Sequence, residues 1–148
     1  MKQDIFEKIK ELSLPVFIYG MGNGAEKFLK YAKEKNIKIS GVFASDEFAR
    51  YNDFLGFTVK KLSDIEKEFE NFIVVVTFGT RDKSVMQNII NISKRHLLFM
   101  PSFSVADDDL FDMDFYNKNI HLINENISLF DLKSRQILKD IILSLIHI

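Results

Sequence analysis

Gly20, Gly22 and Ala25, within "PVFIYGMGNGAEKFL" (15–29), stand at the G-x-G-x-x-G/A spacing of a turn that leaves a strand and opens a helix. Each position has a physical task. Gly20 can make the tight turn, Gly22 lets backbone N–H groups approach a pyrophosphate, and small Ala25 permits close helix–strand packing, with the phosphate on the helix N-terminus. Met21 and Asn23 fill the gaps, and Gly24 allows a further close approach. Such a site also needs an acid about twenty residues on for a ribose hydroxyl. Asp46 occupies that place, with Glu47 as the fallback. The loop "TFGTRD" (77–82) is expected across the same crevice, where Gly79, Thr80 and Arg81 would meet an anion. Two readings stand side by side: a nucleotide-type ligand site, or an emptied scaffold in which the glycines only turn a corner and Asp46 is a solvated loop acid.

Other reactive residue types offer less. His96 falls at a helix end, where an imidazolium suits the dipole, and His121 falls in the C-terminal region. Neither has an acid or nucleophile in triad-like company, so both are expected to be structural. Asp107, Asp108, Asp109, Asp112 and Asp114 lack the glycine and closing glutamate of a calcium loop, which leaves capping and solvation as their reading. Phe99, Phe103, Phe111, Phe115 and Tyr116 read as an apolar seam docking the tail on the sheet's end, with a substrate-stacking surface as the sharper alternative. Tyr19 is expected to pack within its strand. No nucleophile, metal cage or acid–base pair emerges.

The elements that must position these residues follow from hydrophobic period. Ile5, Ile9 and Leu12 mark a leading helix over 2–12, and Pro15 sets an extended lead into a strand over Val16–Tyr19. Ala25, Phe28, Leu29 and Ala32 form one helical stripe, ended by Asn36. A second strand is expected over Ile37–Phe43 and a short edge strand over Phe57–Val59. Ser63 and Glu66 form a capping box opening the next helix. "FIVVVT" (72–77) has the unalternating β-branched character of a strand covered on both faces. A helix from Val85 to Arg95 and a fifth strand, "LLFM" (97–100), complete an α/β, doubly wound, Rossmann-like parallel sheet of about five strands, order 3-2-1-4-5. Two helical segments, roughly 114–126 and 131–142, make a C-terminal helical tail. The expected division is a nucleotide-binding-type domain over 1–102 and a helical linker over 103–142.

With 148 residues and 47% of them apolar, the chain can bury one real core. Twenty basic and twenty-one acidic residues nearly cancel, which argues against nucleic acid or a membrane surface as partner. The absence of cysteine excludes disulfides, thiolate metal sites and cysteine nucleophiles. No secretory signal pattern or long apolar run is found, so a cytoplasmic location is expected.

The stretches "VFIYGMGNGAEKFLKYAKEKNIKISGVFASDEFAR", "FLGFTV", "FIVVVTFGT", "LFDMDFYNKN" and "DLKSRQILKDII" together resemble the N-terminal, Rossmann-like region that precedes the catalytic domain in FkbM-type S-adenosylmethionine-dependent methyltransferases. The resemblance covers most of 16–142. It implies an accessory domain whose glycine turn is a nucleotide-like crevice for a nucleotide or sugar nucleotide. S-adenosylmethionine and the catalytic groups would belong to a methyltransferase domain following Ser134–Ile142, its natural partner, and this chain alone would not be an active enzyme. "LSLIHI" (143–148), which includes His147, departs from the family pattern and reads as a translated adapter, hence a non-native tail. The competing expectation is a free-standing sugar-nucleotide or dinucleotide-binding module. An interaction scaffold without a nucleotide is the third.

Overall fold

The computed structural model describes residues 5–101 and 113–146. Its elements are α1 (Ile5–Leu12), β1 (Val16–Tyr19), α2 (Asn23–Glu34), β2 (Gly41–Ala44), β3 (Asp53–Phe54), β4 (Phe57–Lys61), α3 (Leu62–Glu68), β5 (Ile73–Val76), α4 (Lys83–Ser93), β6 (Leu97–Phe99), α5 (Met113–Ser128) and α6 (Leu132–Ile146). The chain forms two compact units, one spanning Phe6–Pro101 and the other containing α5 and α6.

The first unit is an α/β fold on a six-stranded sheet of order β3-β4-β2-β1-β5-β6. Every pairing is parallel except β3 with β4. β1 and β5 lie side by side at the centre with every residue buried, as continuous apolar strands must when both faces are covered. Alternation divides their side chains. Phe17, Tyr19, Val74 and Val76 point to one face, where they pack with Phe43 of β2, Ile65 of α3 and Ile92 of α4. Ile18, Val42, Ile73 and Val75 are equally buried on the other, the face of the crossover helix α2. There Phe28 of α2 stacks on Phe6 of α1 with ring centroids 5.7 Å apart. Burying a Phe side chain of this kind stabilises by roughly 2–3 kcal/mol.

Several expectations need correction. The order is that of six strands rather than five, because Asp53–Phe54 folds back antiparallel on β4 as an edge. Leu55 (φ 50°) and Gly56 (φ 84°) make the connection, both left-handed, as a two-residue I′ hairpin requires. β2 begins at Gly41, later than the expected Ile37, because the Ile37 amide donates back to the Ala32 carbonyl (2.7 Å) and closes the end of α2. Asn36 takes the left-handed conformation (φ 57°) that ends this helix. The Ser63–Glu66 capping box does not form: Lys61 is the N-cap of α3 and offers no side-chain cap.

In the second unit, α5 and α6 are joined by a short turn, and Asp131 caps α6 by accepting from the amides of Lys133 (3.0 Å) and Ser134 (3.1 Å). α6 continues through Ile146, so a helical backbone runs into the "LSLIHI" segment. Phe103, Phe111, Asp107, Asp108, Asp109, Asp112 and His147 lie outside the described residues, and with them part of the expected aromatic seam and most of the acidic run.

Candidate functional site

The β1–α2 turn divides its work among three glycines. Gly20 has φ 122°, a conformation that a side chain rarely tolerates. A Cβ there would also meet the Phe78 ring at 2.7 Å and the Thr77 hydroxyl at 3.0 Å. At Gly24 a Cβ would lie 1.9 Å from the Thr77 carbonyl oxygen. The tightest helix–strand approach therefore belongs to Gly24 instead of Ala25, which is fully buried in the core stripe of α2. Gly22 differs from both. It is the N-cap of α2 with extended backbone (φ −108°), it supplies no side-chain cap, and nothing lies within 4 Å of where its Cβ would be. Its carbonyl accepts from Ala25 (2.9 Å) and Glu26 (3.2 Å), while no described group accepts from the amides of Gly22, Asn23 or Gly24. Those are the orphan donors of a helix start, aimed along the positive end of its dipole.

The β5–α4 loop is pinned beside this turn. Thr77 is buried and donates both its amide and its hydroxyl to the Tyr19 carbonyl, each at 3.2 Å. Phe78 stands edge-on to the Tyr19 ring at 5.0 Å. Beyond it, Gly79 and Arg81 are exposed and Thr80 half-buried. The Thr80 hydroxyl accepts from the Asp82 amide (3.1 Å), and Arg81 has no ion-pair partner among the described residues. Asp82 caps α4, accepting from the amides of Ser84 (2.8 Å) and Val85 (3.1 Å). The Ser84 hydroxyl, followed by those amides, holds the Asp82 carboxyl below the usual carboxylate range. Of the two helices that start here, α4 has an anionic N-cap, whereas α2 has glycine there and its first-turn acid is Glu26.

Asp46 follows β2 and is engaged by α3: its Oδ2 accepts from the Ser63 hydroxyl at 2.9 Å. With Glu47 it lines a cleft of ≈ 340 Å³, floored in part by Tyr19 and Phe43, whose rings stack at 4.8 Å. None of Gly20–Ala25 or Gly79–Arg81 lines that cleft. Tyr19 is buried within its strand, as expected, and its hydroxyl is hydrogen-bonded to that of Ser45. His96 stacks on Phe72 with centroids 3.9 Å apart, and its Nε2 lies 3.0 Å from Glu66, which also pairs with Arg95 at 2.6 Å. Ser63 and Glu66 are thus each bound elsewhere, which explains the missing capping box.

No family model and no curated protein matches the chain. No described helix is long and apolar enough to cross a membrane. The cleft residues Asn88, Asn91 and Arg95 belong to no motif; their only signal in the sequence is a polar row at i, i+3 and i+7 beside the buried stripe of α4.

Proposed function

We propose that the β1–α2 turn is the anion-binding part of a nucleotide-type site, and that the chain serves as the accessory, non-catalytic region of an FkbM-type S-adenosylmethionine-dependent methyltransferase. One observation carries the first half. The N-terminus of α2 lacks a side-chain cap, and the space beyond the Gly22 α-carbon is open. A phosphate oxygen placed there would accept from the Gly22, Asn23 and Gly24 amides and meet the helix dipole. Arg81 is the cation on the neighbouring loop that would complete the charge balance. The sequence resemblance supports the second half, and the chemistry of the turn agrees with it. The groups nearest Gly20 are the Phe78 ring and the Thr77 hydroxyl, which already donates to the Tyr19 carbonyl, and the group nearest Gly24 is the Thr77 backbone carbonyl; none of them is a carboxylate, imidazole or amine.

Calorimetric titration with NAD, UDP-sugars and S-adenosylmethionine tests the reading. A nucleotide diphosphate is expected to bind, and Gly22→Val to abolish binding by filling the open space while leaving the fold intact. Flat titrations for every nucleotide would instead favour an interaction scaffold. Methyl transfer from labelled S-adenosylmethionine by this chain alone would refute the non-catalytic assignment.

A further inference from the structure

The cleft that holds Asp46 opens at the C-terminal ends of β1 and β2 with α3 and α4 as its walls, the edge of an open α/β sheet at which small ligands bind. Its ≈ 340 Å³ is at the small end of the range for organic ligands and suits a molecule the size of a monosaccharide. We propose that it binds a small polyol bearing an ammonium group, an amino sugar in chemical class.

The cleft presents hydrogen-bonding atoms that no described protein group engages. The lining carries three carboxylates, Asp46, Glu47 and Glu66, against one guanidinium, Arg95. Arg95 is already held by Glu66, whose Oε1 also faces His96. Asp46 meets Ser63 through Oδ2 alone. Among the described residues, Asp46 Oδ1, Glu66 Oε2 and the whole carboxylate of Glu47 have no partner, and neither has the side-chain amide of Asn88. An acceptor surplus of this kind selects a ligand rich in donors, hydroxyls and an ammonium group, and repels phosphates and carboxylates. The floor supplies a narrow apolar surface: half-buried Leu62 offers its methyl groups to the C–H face of a sugar ring, while Tyr19, Phe43 and Ile92 close the cleft beneath it as buried core residues. α4 contributes both kinds of group from one side, because Asn88, Asn91 and Ile92 recur at helical spacing, and Arg95 follows in the turn just past its C-cap. This site is lined independently of the glycine turn.

Amide-resolved NMR titration with D-glucosamine, D-glucose and glucose 6-phosphate decides the matter. Glucosamine is expected to shift the side-chain amide signals of Asn88 and Asn91, glucose to bind more weakly, and glucose 6-phosphate to leave the signals unmoved. Glu47→Gln and Asn88→Ala, both at exposed positions, should each weaken glucosamine binding by about tenfold. Gly22→Val should leave it unchanged, which separates this site from the anion site at α2. Signals that stay silent with glucosamine, tighter binding of the phosphate ester, or full affinity in Glu47→Gln would each overturn the proposal.

Discussion

Gly24→Ala puts the geometry of the turn to its most direct test, because helix propensity and packing predict opposite signs. Alanine inside a helix is favoured over glycine by about 1 kcal/mol. Against this, the added methyl group would sit 1.9 Å from the Thr77 carbonyl oxygen, and relief to an allowed contact needs a movement of more than an ångström. The obstacle is backbone, so no rotamer change can supply that movement. Thr77 cannot retreat cheaply, since its amide and hydroxyl are both fixed on the Tyr19 carbonyl in the middle of the sheet. Lifting α2 instead would loosen Ala25, Phe28 and Ala32, all essentially fully buried. Overpacking of a site that cannot yield costs about 3 kcal/mol, so the net loss is about 2 kcal/mol after the propensity gain. For a unit of this size that lowers Tm by roughly 10 °C. Urea denaturation and thermal melting of the wild type and Gly24→Ala measure it. Equal or greater stability in the variant would refute the reasoning, since it would mean that α2 and β5 are not in close contact at this point.

Gly22→Asp should act in the opposite direction on the same turn. Its carboxylate would cap α2 and raise stability by a few tenths of a kcal/mol, while abolishing nucleotide binding by occupying the amides; undiminished binding would sink the anion-site reading. The Tyr51–Asp64 hydrogen bond (2.6 Å) should shape stability at both ends of the pH scale. Chiefly through Tyr51, the Asp64 carboxyl is held below its usual value, so its contribution is present above about pH 4 and is lost as pH falls through the lower folded value. Tyr51 is raised, mainly by Asp64, so its contribution is present below about pH 10 and is lost as pH rises through the folded value. Tyr51→Phe should make both limbs of a stability–pH profile measured by denaturation shallower than in the wild type, leaving the part of the acid limb that Asp82 and Asp131 supply, and limbs of unchanged slope would contradict the bond.

Much of the framework was legible because it depends on period and local chemistry. The run around Ile73–Val76 could be read as a central strand from its lack of alternation, and the stripe Ala25, Phe28, Ala32 as the buried side of α2. Both signals are intrinsic to the chain. The β3–β4 hairpin escaped because its turn is Leu55–Gly56: leucine at a left-handed position gives no warning, and the strand it adds is only two residues long. The Ser63–Glu66 pair misled for a related reason. Its spacing is right for a capping box, but Asp46 and the pair Arg95 and His96 offered those side chains partners from distant segments.

The sequence by itself determined where the chain turns tightly and which stripes must be covered, since backbone freedom at glycine and the helical and strand periods act within a few residues. Tertiary structure alone decided what each glycine is for. Gly24 is a packing glycine only because the crossover helix is laid against the Thr77 carbonyl, and Gly22 is open only because no side chain from elsewhere reaches it. It also decided the place of Asp46, which the approach of α3 drew to Ser63 and into the acceptor-rich cleft. Contacts between segments far apart in sequence assign such roles, and no local pattern encodes them.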